Sequence, residues 1–236
     1  MIFLRSLLFS IWMSVAAIAV ATISILILPF PVMFRIKVIR SYGLAAIFFL
    51  KHICRINYSI EGKQNIPTET SIIFCKHQST WETLALQIYF PPQTFVIKRQ
   101  LLLIPFFGWG LSAMGPIAID RGAGRNAIKQ IVKQGLDRLK KGIWIVIFPE
   151  GTRGLPGQKT KYKMGGAILA VETGYPVVPV AHNAGSYWRK GQFIKKPGTI
   201  TMVIGPTIKT QGKKPEAVMA EAEEWIETQM KRIQPQ

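Results

Sequence analysis

The amino-acid sequence predicts an α/β fold with a mostly parallel central sheet flanked by helices, preceded by an N-terminal hydrophobic, membrane-embedded helical element. Three observations support this prediction. Past residue 56, short apolar runs alternate with segments of helical periodicity. Hydrophobic residues make up 49% of the chain, and the mean hydropathy of +0.23 is high for a water-soluble domain. Finally, no charged residue occurs from Ser6 to Phe34.

The N-terminal element is predicted to occupy residues 1–55. Residues 7–28 are long enough to cross a hydrocarbon layer of roughly 30 Å as a helix. A cleavable signal peptide would have a shorter apolar core and a small-residue cleavage site, whereas this run ends in Leu28-Pro29-Phe30-Pro31. The prolines should end the helix, and the apolar residues 42–50 predict a short return helix. A re-entrant hairpin that never crosses the membrane is the alternative.

Residues 56–236 are predicted to form the α/β domain. Its predicted strands are residues 71–75, 143–148, 177–181 and 199–204, and its predicted helices are 81–90, 124–141, 164–173 and 216–230. Ligands of such sheets bind beyond the carboxyl ends of the strands. Cationic residues are denser after the long apolar run than before it, which predicts that this domain lies on the cytoplasmic face of the cell inner (plasma) membrane.

The charge and cysteine content limit the possible partners. Thirty Lys and Arg residues oppose 12 Asp and Glu residues, so the formal net charge of +18 predicts a polyanionic partner. With a membrane element present and no nucleic-acid-binding motif, we expect anionic membrane lipids and no nucleic acid. The two cysteines, Cys54 and Cys75, form no C-x-x-C motif, which favours a reducing compartment. The few histidines and cysteines lack ligand spacing, so no metal and no cofactor is expected.

The first candidate motif is Cys75-Lys76-His77-Gln78-Ser79-Thr80-Trp81-Glu82, at a predicted strand-to-helix turn. His77 and Glu82 can form a base and its orienting carboxylate, with the backbone amides of this turn stabilising an oxyanion. An ordinary helix N-terminus capped by Ser79 or Thr80 would give the same pattern. Cys75 could act as a nucleophile, but at the end of an apolar strand it is more simply a buried hydrophobe.

Three further segments carry candidate ligand-binding residues. One of them, Phe148-Pro149-Glu150-Gly151-Thr152-Arg153, follows the most apolar strand. Its glycine, exposed amides, hydroxyl and guanidinium suit the binding of a phosphate. Glu150 could either hold Arg153 in place or accept a hydrogen bond from a substrate hydroxyl. In a second, Gly115-Pro116-Ile117-Ala118-Ile119-Asp120-Arg121-Gly122, Arg121 is a candidate phosphate ligand. In the third, Lys98-Arg99 precedes the aromatic residues of Ile104-Pro105-Phe106-Phe107-Gly108-Trp109-Gly110, which suit an acyl chain or the bilayer interface. Each segment alone is also typical of ordinary turns and salt bridges.

Four segments together resemble the glycerophospholipid acyltransferase family, in particular its bacterial 1-acylglycerol-3-phosphate branch: His77 to Glu82, Gly115 to Gly122, Phe148 to Arg153, and Val177-Val178-Pro179-Val180-Ala181-His182-Asn183-Ala184-Gly185. The resemblance covers roughly residues 60–210 and rests on four blocks in the same order. It implies that His77 is the catalytic base and that Arg121 and the segment from Glu150 to Arg153 bind the glycerol-phosphate end of the acceptor. The block around Pro179 is linked to the acyl side. The sequence alone leaves His182 either structural or reactive.

The family usually has Asp where this chain has Glu82, so the side chain is longer by about 1.5 Å. The implied function is transfer of a fatty acyl group from acyl-CoA or acyl carrier protein to the sn-2 hydroxyl of lysophosphatidic acid, giving phosphatidic acid. Lys98, Arg121, Glu150, Gly151, Thr152 and Arg153 are the expected substrate-binding residues. Two alternatives are another lysophospholipid or acylated amino-acid lipid as the acceptor, and a non-catalytic basic protein of the membrane surface.

Overall fold

The structure is a computed structural model that describes residues 1–234, apart from the side chains of Arg121 and Arg125. Its helices are α1 Ile2–Leu26, α2 Val32–Cys54, α3 Trp81–Tyr89, α4 Phe107–Ala113, α5 Arg125–Lys140, α6 Gly165–Thr173 and α7 Pro215–Ile233. Its strands are β1 Ile56–Glu61, β2 Ile72–Cys75, β3 Gln93–Lys98, β4 Ile117–Ile119, β5 Trp144–Ile147, β6 Val177–His182 and β7 Gly198–Ile204.

The seven strands form one sheet in the order β1-β7-β6-β2-β5-β3-β4. The five strands from β6 to β4 are parallel to one another, which confirms the predicted mostly parallel sheet. β7 pairs antiparallel with β6, and β1 pairs parallel with β7. No α-helix separates β6 from β7 in the described chain, and such a helix is the usual means of returning a chain for parallel pairing. β1 and β3 are two strands that the apolar pattern did not predict.

Helices cover both faces of the sheet. One hydrophobic cluster joins α1, α2 and α3 to one face, with Phe9, Leu50 and Trp81 among its buried members. A second cluster joins α5, α6 and α7 to the other face, with Ile131, Leu169 and Ile226 among its members. All four residues of β2 and of β5 are buried, as expected for central parallel strands covered on both sides.

The N-terminal element is a hairpin of two long helices, so the predicted short return helix is wrong in length. α2 has 23 residues and begins directly after Pro31. Its first turns carry cationic side chains, and a long basic side chain can lie on a helix and reach a partner: Arg40 donates to the carbonyl of Ile88 at 2.7 Å. α1 is the one helix in the described chain that is long and apolar enough to cross a membrane.

The N-terminal hairpin contacts the α/β domain near the start of α1 and again at the turn into α2. Near the start, Ser6 Oγ accepts the Lys195 backbone N–H at 3.0 Å, and Ser10 Oγ accepts from Lys195 Nζ at 2.6 Å. Beyond its far end, the turn into α2 brings Val32 against Gly115, where an added Cβ would lie 3.3 Å from Val32 Cγ2. The hairpin therefore contacts the domain at the start of α1 and again at the start of α2.

The parallel strands bring the predicted site segments to one edge of the sheet. His77 follows the end of β2, Phe148 follows β5, and Arg121 follows β4. Lys98 and His182 are the last residues of β3 and β6. Since these five strands are parallel, all of these positions lie at the same, carboxyl edge.

Candidate active site

The centre of the site is a histidine paired with a carboxylate. His77 Nδ1 lies 2.8 Å from Glu82 Oε1. The Glu82 side chain is fully buried, whereas 14% of the His77 side chain is exposed. Because the proton on Nδ1 is directed to the carboxylate, Nε2 keeps its lone pair, and His77 lies in the wall of the adjacent cavity. This is the arrangement of a general base with its orienting acid.

The Glu82 carboxylate also organises the turn that carries His77. Its Oε1 accepts the backbone N–H groups of Gln78 at 3.0 Å and Ser79 at 2.8 Å. Burial opposes ionisation of Glu82, but the nearby His182 ring, the hydrogen bond and charge of His77, and the Ser79 amide together hold the pKa of this carboxyl below its usual value. The backbone N–H of His77 likewise donates to Glu150. Because the amides of residues 77–79 all donate to carboxylates, the prediction that they stabilise an oxyanion is wrong for these three residues.

The segment after β5 holds His77 in place from three directions. The Phe148 ring stacks on the imidazole with centroids 3.8 Å apart and planes 15° apart. Glu150 Oε2 accepts the His77 backbone N–H at 3.0 Å, and Gly154 N–H donates to the His77 carbonyl at 2.8 Å. The segments 75–82 and 148–153, which are separate motifs in the sequence, therefore pack together around the imidazole.

Glu150 is buried and does not face the cavity, so its prediction as a substrate-binding residue is corrected. Its Oε1 lies 3.1 Å from Lys76 Nζ, and that lysine also donates to Glu227 Oε1 at 2.7 Å. Tyr162 Oη donates to the same Glu227 oxygen at 2.9 Å. Burial raises the pKa of Glu150 to about 7, against the opposing effect of Lys76. The carboxylate thus holds the His77 peptide and joins it to α7.

His182 is a structural neighbour of the pair. Its side chain is fully buried, and burial lowers its pKa, so the ring is neutral at pH 7. Nδ1 accepts the Ala184 N–H at 3.2 Å, which places the proton on Nε2, and Nε2 donates to the Lys76 carbonyl at 2.7 Å. The same nitrogen lies 3.7 Å from Glu82 Oε2. His182 therefore fixes the peptide that precedes His77, and we assign it a positioning role.

A cavity of about 610 Å³ opens beside His77. Its lining is predominantly apolar and comes from α1, from α3 and β3, from the segment around α4, and from the start of α6. A volume of this size is typical of ligand pockets. Among the side chains that the structure describes, two cationic ones line it, Arg153 and Lys163.

The predicted substrate-binding residues divide into two groups. Gly151 and Arg153 line the cavity with His77, while Thr152 is exposed and Lys98 is exposed at the end of β3, both outside the lining. The Arg121 side chain lies outside the described residues, so its predicted role stays a prediction. The backbone of Arg121 lies in a short 3-10 helix after β4, at the same edge of the sheet.

Lys163 is a cavity residue that sequence reasoning missed. Gly151 has a φ of 70°, and a Cβ added there would lie 3.0 Å from Lys163 Nζ, so the absence of a side chain at Gly151 leaves room for the lysine. The backbone N–H of Lys163 donates to the Pro149 carbonyl at 2.9 Å. In the sequence, Lys163 is one of several lysines in a loop, and no pattern distinguished it.

A thiol nucleophile and a bound metal ion are two other groups that can carry chemistry at such a site. Cys75 is fully buried, and burial raises its pKa well above the usual value, so its thiol is not poised as a nucleophile. Among the described residues, no group of three or more His, Cys, Asp or Glu side chains is arranged to hold a metal ion.

The length of Glu82 gives a testable expectation. Its carboxylate reaches three N–H donors, and Asp at this position would withdraw it by about 1.5 Å, beyond hydrogen-bond distance. We expect Glu82→Asp to lower kcat by about 10- to 100-fold, because the shorter acid no longer orients the imidazole. Steady-state kinetics measure the effect, with circular dichroism to verify folding. An unchanged kcat would mean that the turn adjusts to the shorter acid.

The chain is similar to known proteins over most of its length. The family model described as Acyltransferase matches residues 57–183. A 1-acyl-sn-glycerol-3-phosphate acyltransferase of Pseudomonas aeruginosa is 44% identical over 238 residues, covering 98% of this chain and 92% of that protein. The enzyme of the same name from Cocos nucifera is 30% identical, covering 84% of this chain and 64% of that protein.

A solved structure shares the fold. The crystal structure of the 1-acyl-sn-glycerophosphate acyltransferase from Thermotoga maritima aligns with a TM-score of 0.80 at 23% identity. The alignment covers 98% of this chain and 95% of that one, so the N-terminal hairpin is included in the similarity.

Proposed function

This chain belongs to the acyltransferase family, and from that premise we propose that it transfers a fatty acyl group from a thioester carrier to the sn-2 hydroxyl of lysophosphatidic acid. The product is phosphatidic acid, an intermediate of phospholipid biosynthesis. The observation that carries the proposal is the His77–Glu82 pair in the wall of an apolar cavity that also contains Arg153. The acyl donor is acyl-CoA or acyl carrier protein, and no cofactor takes part.

The proposed reaction is direct transfer in a ternary complex. His77 Nε2 removes the proton of the sn-2 hydroxyl as its oxygen attacks the thioester carbonyl. The tetrahedral intermediate collapses with cleavage of the C–S bond, and the thiolate leaves with the proton that His77 held. Glu82, ionised and 2.8 Å from Nδ1, stabilises the imidazolium between these steps.

The cavity supports binding of both ends of a lysolipid. Arg153 and Lys163 supply positive charge near His77, which suits the phosphate of the acceptor, and the apolar walls suit an acyl chain. A phosphate held at one fixed point places the hydroxyl near Nε2, which converts binding energy into orientation. Gly151 contributes by leaving space for Lys163. Lys98, Thr152 and Arg121 remain proposed contacts at the same edge.

Arg153→Ala and Lys163→Ala should each raise the KM for lysophosphatidic acid by about 10- to 100-fold with a small change in kcat. The reason is that each variant loses charge-assisted hydrogen bonds to the phosphate, worth roughly 1.5–3 kcal/mol. Lys159→Ala is the matched control, because Lys159 lies in the same loop but pairs with Glu223 at 3.1 Å. A monoacylglycerol, which lacks the phosphate, should not distinguish the variants. An unchanged KM for the phosphorylated acceptor would remove the residue from this role.

The overall proposal is tested with purified protein, acyl-CoA or acyl carrier protein, and a panel of lysolipids that includes a neutral and an amino-acid-based acceptor. Phosphatidic acid should form fastest. Faster acylation of another lysolipid would change the assigned acceptor, and absence of any product with either donor would favour the non-catalytic membrane-surface alternative.

For localisation, we propose the inner (plasma) membrane with the catalytic domain, residues 56–236, on the cytoplasmic face. The excess of basic residues after the long apolar run and the net charge of +18 support contact with anionic lipids. Free, buried Cys54 and Cys75 are compatible with a reducing compartment.

A further inference from the structure

The segment Leu103–Trp109, which we call the aromatic loop, exposes an unusual amount of apolar surface. Leu103 is 80% exposed, and the exposures of Ile104, Phe106, Phe107 and Trp109 range from 39% to 53%. Among the described residues outside the N-terminal hairpin, Phe193 is the one other large hydrophobic side chain with comparable exposure. A concentrated apolar patch of this kind marks an interaction surface.

The aromatic loop lies beside α1, which also exposes apolar side chains. The last three residues of the loop, Phe107–Trp109, form the start of α4, and α4 packs directly against α1. The outward side of α1 carries a row of exposed apolar residues, including Ile11, Val15 and Ile18. Exposed apolar side chains therefore occur both on a helix with the length and composition of a membrane segment and on the loop whose helix α4 packs against it.

The joint between the loop and α1 is also a wall of the catalytic cavity. Phe106 and Phe107 line the cavity and are at the same time about half exposed, so they lie at its opening. Met13 and Ala17 of α1 belong to the same lining. An apolar passage therefore leads from the outer surface, between α1 and the loop, toward His77.

The charges around the loop match a bilayer. Residues 100–119 contain no charged side chain, while Lys98 and Arg99 immediately before them are exposed. In this order, cationic side chains meet anionic headgroups and the apolar residues beyond them reach the acyl region. A protein partner would not explain why the apolar surface continues along the whole of α1.

We propose that the aromatic loop inserts into the hydrocarbon edge of an anionic bilayer beside α1, and that the joint between them is the opening through which a lysolipid chain passes from the bilayer into the cavity. The lipid-entry part of this inference rests on the proposed function. The insertion of the loop does not, because it concerns membrane contact alone.

Insertion is tested by attaching an environment-sensitive fluorophore to Leu103→Cys, since Cys54 and Cys75 are both buried. On vesicles of phosphatidylglycerol and phosphatidylcholine, the emission should shift to the blue and be quenched by lipids with nitroxide groups in their acyl chains. Glu172→Cys is the control, because Glu172 is exposed near the end of α6, at the opposite edge of the sheet. If vesicles bind the protein but both labels behave alike, the proposal is overturned.

Lipid entry is tested with Leu103→Ser/Trp109→Ser against the apolar control Leu103→Ile/Trp109→Phe; neither residue lines the cavity. The serine variant should acylate vesicle-embedded lysophosphatidic acid about tenfold more slowly, because it loses apolar area at the membrane. Its rate with a short-chain acceptor dissolved as monomers should not change. Equal loss with both acceptors, or loss with neither, contradicts the proposal. If even the unaltered protein acylates no lysolipid, the proposed function fails while the fluorescence result stands.

Discussion

His77→Ala should lower kcat by about 10²- to 10⁴-fold while the protein stays folded. Among the described side chains, the imidazole is the one group placed both to take a proton at the cavity wall, through Nε2, and to be stabilised as a cation by Glu82 at 2.8 Å. Its ring borders the cavity and stacks on Phe148, so alanine enlarges the existing cavity and leaves the packing within the sheet in place. Steady-state assays with a thioester donor measure the effect.

Two controls make this experiment decisive. Circular dichroism and thermal unfolding in detergent should show that the variant keeps its fold. Glu82→Gln should lower kcat less than His77→Ala, because its side-chain oxygen can still accept from the turn amides while the stabilising charge is lost. Full activity of His77→Ala would exclude the proposed base.

Lys76→Met should lower the free energy of unfolding by about 3–5 kcal/mol at pH 8, the typical cost of removing one partner of a buried ion pair. Lys76 is almost fully buried between Glu150 and Glu227, and methionine would leave both carboxylates without its charge. Urea denaturation in detergent gives the difference. The catalytic rate should fall as well, because Glu150 holds the His77 backbone N–H.

The loss should depend on pH in a defined direction. The folded-state pKa of Glu150, about 7, lies above its ordinary value of 4.5, so the stability it contributes is complete below pH 4.5 and is lost as the pH rises through 7. At pH 5 Glu150 is protonated in the folded protein with or without Lys76, so the difference should be smaller than at pH 8. Lys76→Met/Glu150→Gln should recover part of the loss at pH 8. Equal losses at both values of pH, with no recovery, would show that the ion pair does not stabilise the fold.

Local patterns in the sequence predicted much of the fold and the centre of the site. The apolar runs of β2 and β5 and the periodicity of α5 identified central elements, and the spacing of His77 and Glu82 across a strand-to-helix turn predicted the pair. Parallel strands then brought Arg153 to the same edge, as the fold class implied. These features depend on neighbours within a few residues or on a general rule of the fold.

What the sequence did not predict depends on distant partners. Lys76 and Glu227 are separated by 151 positions, so their pairing, and with it the burial of Glu150, follows only from the assembled sheet and α7. The antiparallel return of β7 is likewise a matter of how distant strands pair. Lys163 enters the cavity because Gly151 leaves space for it, a relation between two loops.

The attachment of α1 at its start, and of the turn that follows it, changes how this hydrophobic helix should be regarded. Lys195 holds its beginning and Gly115 meets the turn beyond its end, while its middle forms part of the chamber that faces His77. Such a helix is not a detachable tether. Deleting α1 to obtain a water-soluble enzyme would remove part of the wall of the cavity beside His77. We therefore expect the active enzyme to require detergent or lipid around this helix.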